Sequence, residues 1–276
     1  MNSLGKHILD DGSFRLTEEY QVSLSEMKGF LFTERIRAVR TNFPYFSETL
    51  EIIKLKLLIF NLTFPEFTTN DGAGLKRQLE RTLTKNKHFG GAELSISFKL
   101  IDQKIHYSIL SKKLKNADYE LNEKGLHIGI FDKIQKPASS LSSISLGSEI
   151  YWNITKRHID ESVLDMLAIV NTSDFVVEMP ESNIYLIKGR SVRGASCEHG
   201  AYLDITQPLM RDIFHRLKLH YSESEGITAE DIRLTEEVMI VNALEGVQWI
   251  AGFEGKRFFN NTIKKISELF NQISAN

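Results

Sequence analysis

The sequence predicts a mixed α/β protein built as two domains, and three observations carry that expectation. Stretches in which apolar residues alternate with polar ones are interleaved with stretches of helical periodicity. Between Leu114 and Gly125, lysines and turn formers interrupt the apolar pattern, which divides the chain into residues 1–118 and 119–276. At 276 residues with 42% hydrophobic side chains, the chain can also bury a substantial core.

The elements follow in order. Phe30 to Arg40 has strand character. Phe46 to Phe60 reads as a helix, with Leu50, Ile53, Leu57 and Phe60 on one face. Gly72 to Lys87 is a second helix, charged on its outer side and ended by the Gly90-Gly91 turn. Leu94–Phe98 and Ile105–Ile109 alternate as half-buried strands, joined by a turn at Asp102-Gln103-Lys104. Leu126 to Phe131 opens the second half, and a helix covers Glu149 to Ser162. Short strands are expected at Met166–Val170, Phe175–Glu178 and Asn183–Ile187, with a turn at Asn171–Asp174. Pro208 to Leu219 reads as a helix with proline in its first turn, capped by Asp204 or Thr206. Val238–Asn242 is a strand and Thr262–Ile273 a closing helix.

Charge and composition narrow the function classes. Lys plus Arg is 34 and Asp plus Glu is 36, a net charge of −2, without the basic surplus of a dedicated nucleic-acid binder. The single cysteine, Cys197, excludes an intrachain disulfide and a Cys-rich zinc site, and suits a reducing cytoplasm. The first residues lack a charged region followed by an apolar run, so no signal peptide is expected. The most apolar stretch, Leu55 to Phe64, is far short of a membrane span. The glycosylation-type triplets at Asn61, Asn153, Asn171 and Asn260 read as chance. There is no G-x-G-x-x-G, no phosphate loop around Gly255-Lys256 and no G-x-S-x-G elbow. His215 and His220 lie five apart, a poor spacing for one metal on a helix, and no metal is expected. Cys197, near His199, reads as a free thiol.

The second half carries a more specific pattern. Val176 to Leu186, with Glu178, Ser182 and Asn183, resembles the "E-x-x-x-S-N-(I/L)-F" strand pair of the class IV pyridoxal-phosphate aminotransferases. That family includes branched-chain aminotransferase, D-amino-acid aminotransferase and aminodeoxychorismate lyase. Gly200 to Gln207 is similar to the family's "G-x-L-x-G-I-T-R" turn into a helix, and Glu237 to Ile250 to its "E-(V/M)-x-x-x-N-(A/S)-x-x-G-(I/V)" strand. Gly29 to Arg37 resembles a shortened "G-x-x-x-G-D-G-x-F-E-T-I-R". The matches run in order from Gly29 to Asn261.

The resemblance implies a two-domain class IV fold, a homodimer and pyridoxal phosphate as cofactor, a group that acts as an electron sink. It gives Glu178 the pyridine nitrogen. It gives the backbone of Ile205 and Thr206, together with Asn242-Ala243, the phosphate. It also implies a Schiff-base lysine, but the position is Ser145, and no lysine lies between Pro137 and Thr155. The implied phosphate arginine position is Ile52, and the Gly-Asp-Gly turn before Thr33-Glu34 is missing. Lys156 is about 16 Å along a helix from Ser145, and Lys136 up to about 30 Å away if the chain is extended. The favoured expectation is a degenerate member without Schiff-base chemistry, in which Glu178 is free to pair with another cation and a small anionic ligand occupies the old cleft. The rivals are an active aminotransferase or aminodeoxychorismate lyase with an unconventional lysine, and a dimeric scaffold without catalysis.

Overall fold

A computed structural model describes residues 3–159, 163–223 and 226–274 of the chain. They form two compact units, 3–118 and 119–274.

The first unit contains β1 (His7–Asp10), β2 (Ser13–Leu16), α1 (Leu24–Gly29), β3 (Phe30–Val39), α2 (Phe46–Ile59), α3 (Ala73–Asn86), β4 (Gly91–Ile101) and β5 (Lys104–Lys113). Its sheet has the order β2-β1-β5-β4-β3, antiparallel throughout. The β4–β5 hairpin is tight because Asp102 and Gln103 both adopt positive φ, 48° and 63°. Leu94, Ile96 and Phe98 of β4 are buried, as are Leu50, Ile53 and Leu57 of α2 and Leu75, Leu79 and Leu83 of α3.

Two expectations for this unit need correction. Phe60 does not share the buried face of α2. It sits at the helix C-cap, 40% exposed, with its ring 6.2 Å from that of Phe32. The second helix ends before the glycine pair. Lys87 takes a left-handed conformation and its N–H closes on the Leu83 and Thr84 carbonyls. Gly91 starts β4 instead, where a Cβ would lie 2.0 Å from the Asn116 carbonyl oxygen.

The second unit contains β6 (Leu126–Lys136), α4 (Ser145–Ile159), β7 (Met166–Asn171), β8 (Val176–Glu178), β9 (Asn183–Lys188), β10 (Ser191–Gly194), α5 (Gln207–Arg216), β11 (His220–Glu223), α6 (Ala229–Leu234), β12 (Glu237–Asn242), β13 (Gly246–Phe253), β14 (Lys256–Arg257) and α7 (Asn261–Ser274). The strand order is β11-β10-β9-β12-β13-β6-β7-β8, with β14 beside β13. Strand β6 runs parallel to both β7 and β13. Every residue of β12 and nearly every residue of β7 and β9 is buried, which is why these strands read as continuous apolar runs rather than alternating ones. Helix α7 turns Ile263, Ile266 and Phe270 inward at helical spacing.

Helix α4 starts at Ser145, four residues before the expected Glu149, and the expected continuation over 160–162 lies outside the described residues. Helix α5 ends at Arg216, so His220 belongs to β11 rather than to a helix shared with His215. Among the described residues no helix is long and apolar enough to cross a membrane.

Candidate functional site

Glu178 ends β8 and is completely buried. Its neighbours Met179 and Ser182 exchange backbone hydrogen bonds, and Glu181 has φ of 63°, so the chain reverses at once into β9. Three donors converge on the Glu178 carboxylate. Trp152 Nε1 donates to Oε1 at 2.7 Å, while Tyr202 N at 2.7 Å and Lys136 Nζ at 2.5 Å donate to Oε2.

Lys136 ends β6 and is also completely buried. Besides Glu178 it reaches the Ser142 carbonyl at 2.8 Å and Ser148 Oγ at 2.7 Å. The Ser148 hydroxyl spends its own proton on the same Ser142 carbonyl, at 3.0 Å, and therefore accepts from Lys136. Three acceptors around one nitrogen require three N–H groups, which only the ammonium has. Both Glu178 oxygens likewise accept, which suits a carboxylate. Burial pushes Glu178 up and Lys136 down, and their mutual attraction opposes both shifts. The donor and acceptor inventory fits the charged pair.

The separation expected between Lys136 and Ser145 is corrected by the loop that joins them. Residues 137–144 fold back instead of extending. Ser142 N bonds the Ser139 carbonyl at 3.0 Å, and Ser142 Oγ donates to the Pro137 carbonyl at 2.6 Å. Gly147, in the first turn of α4, approaches this loop so closely that a Cβ would sit 2.2 Å from the Leu141 carbonyl oxygen. Lys136 thus reaches the side chain of Ser148, three residues past Ser145, although a backbone of eight residues lies between Lys136 and Ser145. Ser145 is half-buried at the first position of α4.

A second polar centre lies at the start of α5. The buried Asp204 carboxylate accepts, at Oδ1, the Thr206 N–H at 2.9 Å and the Thr206 hydroxyl at 2.6 Å. The Tyr202 hydroxyl donates to the other oxygen, Oδ2, at 3.5 Å. Burial pushes Asp204 up to about 6, against those hydrogen bonds. Thr206 is the N-cap of α5 by position, but its hydroxyl turns to Asp204 and makes no cap bond. Ile205, between them, is half-buried.

Asn183 links the two centres. It accepts the Asp204 N–H at 3.0 Å and donates to the Tyr202 carbonyl, while Tyr202 N is the donor to Glu178. Asn242 is used up locally. It donates to Ser182 Oγ at 2.8 Å and accepts from Leu244 N at 2.9 Å and Glu245 N at 2.7 Å, holding the turn into β13. The chain therefore gathers Glu178, Thr206, Asn242 and Ala243 in one unit and gives each polar group a partner from the chain itself. Ile52 is half-buried on α2 of the first unit.

Sequence reasoning missed Lys136, Trp152, Tyr202 and Asp204 as members of this network. Asp204 left a visible signal. It stands where the "G-x-L-x-G-I-T-R" pattern has its second glycine. Lys136 left none, because its partner lies 42 residues away. No group of three or more His, Cys, Asp or Glu side chains placed to hold a metal exists among the described residues.

No protein-family model matches the chain, and no curated protein matches it in sequence. Solved structures match its fold over nearly its whole length. A branched-chain aminotransferase from the thermophilic archaeon Thermoproteus uzoniensis, solved with norvaline, is 16% identical, with a TM-score of 0.82 over 98% of this chain and 95% of that one. A fold IV transaminase from Curtobacterium pusillum is 13% identical, with a TM-score of 0.78 over 98% and 99%. An aminotransferase from Brucella abortus bound to the cofactor PLP is 13% identical, with a TM-score of 0.81 over 98% and 99%. The chain has the fold of the class IV aminotransferases.

Proposed function

We propose that this chain is a divergent member of the class IV aminotransferases that keeps the scaffold and has given up Schiff-base chemistry. The observation that carries the reading is Lys136 Nζ, 2.5 Å from Glu178. Glu178 stands at the position that the resemblance assigns to the ring nitrogen of pyridoxal phosphate. The aldehyde that a catalytic lysine must reach is attached at the opposite, para position of that ring. An ammonium held on Glu178 is therefore at the wrong end for a Schiff base, and it competes with the ring nitrogen instead of serving the aldehyde. Ser145, at the implied lysine position, offers a hydroxyl, which forms no C=N bond.

The anionic-ligand version of this reading finds little support, because the chain's own Asp204 carboxylate already takes the Thr206 donors. A non-catalytic, homodimeric scaffold is the role that remains. The lone Cys197, which is free, supports a reducing compartment such as the cytoplasm.

Incubation with pyridoxal phosphate, borohydride reduction and peptide mass mapping test the proposal. The expected result is no lysine modified at stoichiometric yield. A phosphopyridoxyl group on Lys136 at one per chain, with transaminase activity that reduction destroys, would overturn it in favour of an active enzyme with an unconventional lysine.

A further inference from the structure

The loss of cofactor chemistry leaves open what the retained polar groups now hold. We infer that the chain carries an internal substitute for a two-ended ligand: Lys136 stands in for a ring cation at Glu178, Asp204 stands in for a phosphate at Thr206, and pyridoxal phosphate does not fit while both are present. The inference rests on the class IV reading for the assignment of the two ends and adds to it how the site is closed.

Each end supports it separately. At the first, the Glu178 carboxylate is fully buried and already accepts from Trp152, Tyr202 and Lys136. A pyridinium N–H has no approach to it without displacing the lysine. At the second, the backbone N–H and the hydroxyl of Thr206, at the start of α5, meet on one buried carboxylate oxygen. A phosphate drawn to the same donors would meet a buried acid. Like charges at that range repel strongly when water is excluded. The signs also match: one internal cation and one internal anion reproduce the charges of a pyridinium and a phosphate. Asn183 and Tyr202 join the two ends, so both occupants belong to one network.

The test removes the occupants one at a time in the full chain. The probe for the whole site is pyridoxine 5′-phosphate, which has the ring and the phosphate but no aldehyde, so surface lysines do not capture it. Inorganic phosphate probes the anion end alone. Binding is read by equilibrium dialysis and by the rise in thermal midpoint. Wild type is expected to respond to neither probe at millimolar concentration. Asp204→Gly should gain a response to inorganic phosphate. Lys136→Ala combined with Asp204→Gly should bind pyridoxine 5′-phosphate at least tenfold more tightly than wild type. Adding Glu178→Gln to that double variant should remove the gain for the ring compound and leave the gain for phosphate.

If a variant lacking Lys136 does not fold alone, its refolding yield is measured with and without pyridoxine 5′-phosphate. Recovery by the probe supports the inference and lack of recovery overturns it. A folded double variant that binds no better than wild type also overturns it. That outcome leaves the functional reading intact, since the latter falls only to covalent capture of a lysine in the wild-type chain.

Discussion

At the scale of single residues, the dominant fact is that the charged side chains of Lys136, Glu178 and Asp204 are buried within one hydrogen-bond network. A buried ion pair is weak evidence for stability in itself, but removing one partner strands the other, at a cost of about 3–5 kcal/mol. Asp204 has no salt-bridge cation among the described residues, and burial pushes its carboxyl up to about 6, from 3.8, against the hydrogen bonds it accepts from neutral donors. The sign of the consequence follows. Between about pH 4 and 6 the folded state binds more protons at this site than the unfolded chain does. Stability therefore falls as pH rises through that window, and the penalty is complete above it. Asp204→Asn removes the penalty. Denaturant unfolding at pH 7 and pH 4 should show wild type gaining on the variant at the lower pH, by on the order of 1–3 kcal/mol. A difference that does not change with pH would mean that Asp204 titrates normally.

At the scale of elements, the joint between β6 and α4 positions the site. Gly147 makes it possible, since any Cβ there strikes the Leu141 carbonyl at 2.2 Å. Two effects compete in Gly147→Ala. Alanine gains up to about 1 kcal/mol of helix propensity over glycine, while forcing the loop from the first turn of α4 costs about 1–3 kcal/mol. Because the obstacle is backbone, the second effect should win. The variant is expected to be less stable by chemical denaturation and to exchange its amides faster over residues 137–144. A more stable variant would show that the loop yields freely.

The strands and helices around this joint were largely legible from the sequence because their periodicity is local. β3, α2, α3, β4 and β5, then β7, β8, β9, β12 and α7, lie close to where alternation and helical spacing put them. Most of what was not legible lacks a long apolar pattern: the β1–β2 hairpin, α1, α6, β10 and β11 are each six residues or fewer per element, whereas the eight-residue β13 was hidden by reading Glu237 to Ile250 as one strand. The site divides in the same way. Glu178, Thr206 and Asn242 could be singled out from the resemblance of their segments to class IV motifs. Their partners are set by where β6 ends and how a serine-rich loop turns, and neither is a property of sequence spacing.

At the scale of the whole molecule, exposed apolar side chains bear on assembly. Val22, Leu24, Met27 and Phe30, along and beside α1, are 49–67% exposed. Neighbouring exposed apolar side chains of this size mark association surfaces more often than chance. Together with the homodimer implied by the class IV resemblance, they support self-association. Light scattering at micromolar concentration is expected to give about twice the 31.6 kDa chain mass, and a mass of one chain would count against it.

The paired burial of Lys136 and Glu178 also bears on how such a chain can change over generations. Loss of the lysine alone leaves a buried carboxylate without its counter-charge, and loss of the glutamate alone does the same to the ammonium. Each single step passes through a destabilised intermediate, a large part of the 5–15 kcal/mol that keeps an ordinary domain folded. Only a coordinated exchange, or a ligand that arrives as the lysine departs, avoids it. The pair therefore acts as a ratchet. Once formed, it resists reversal by point substitution, whether or not selection still favours the protein's present role.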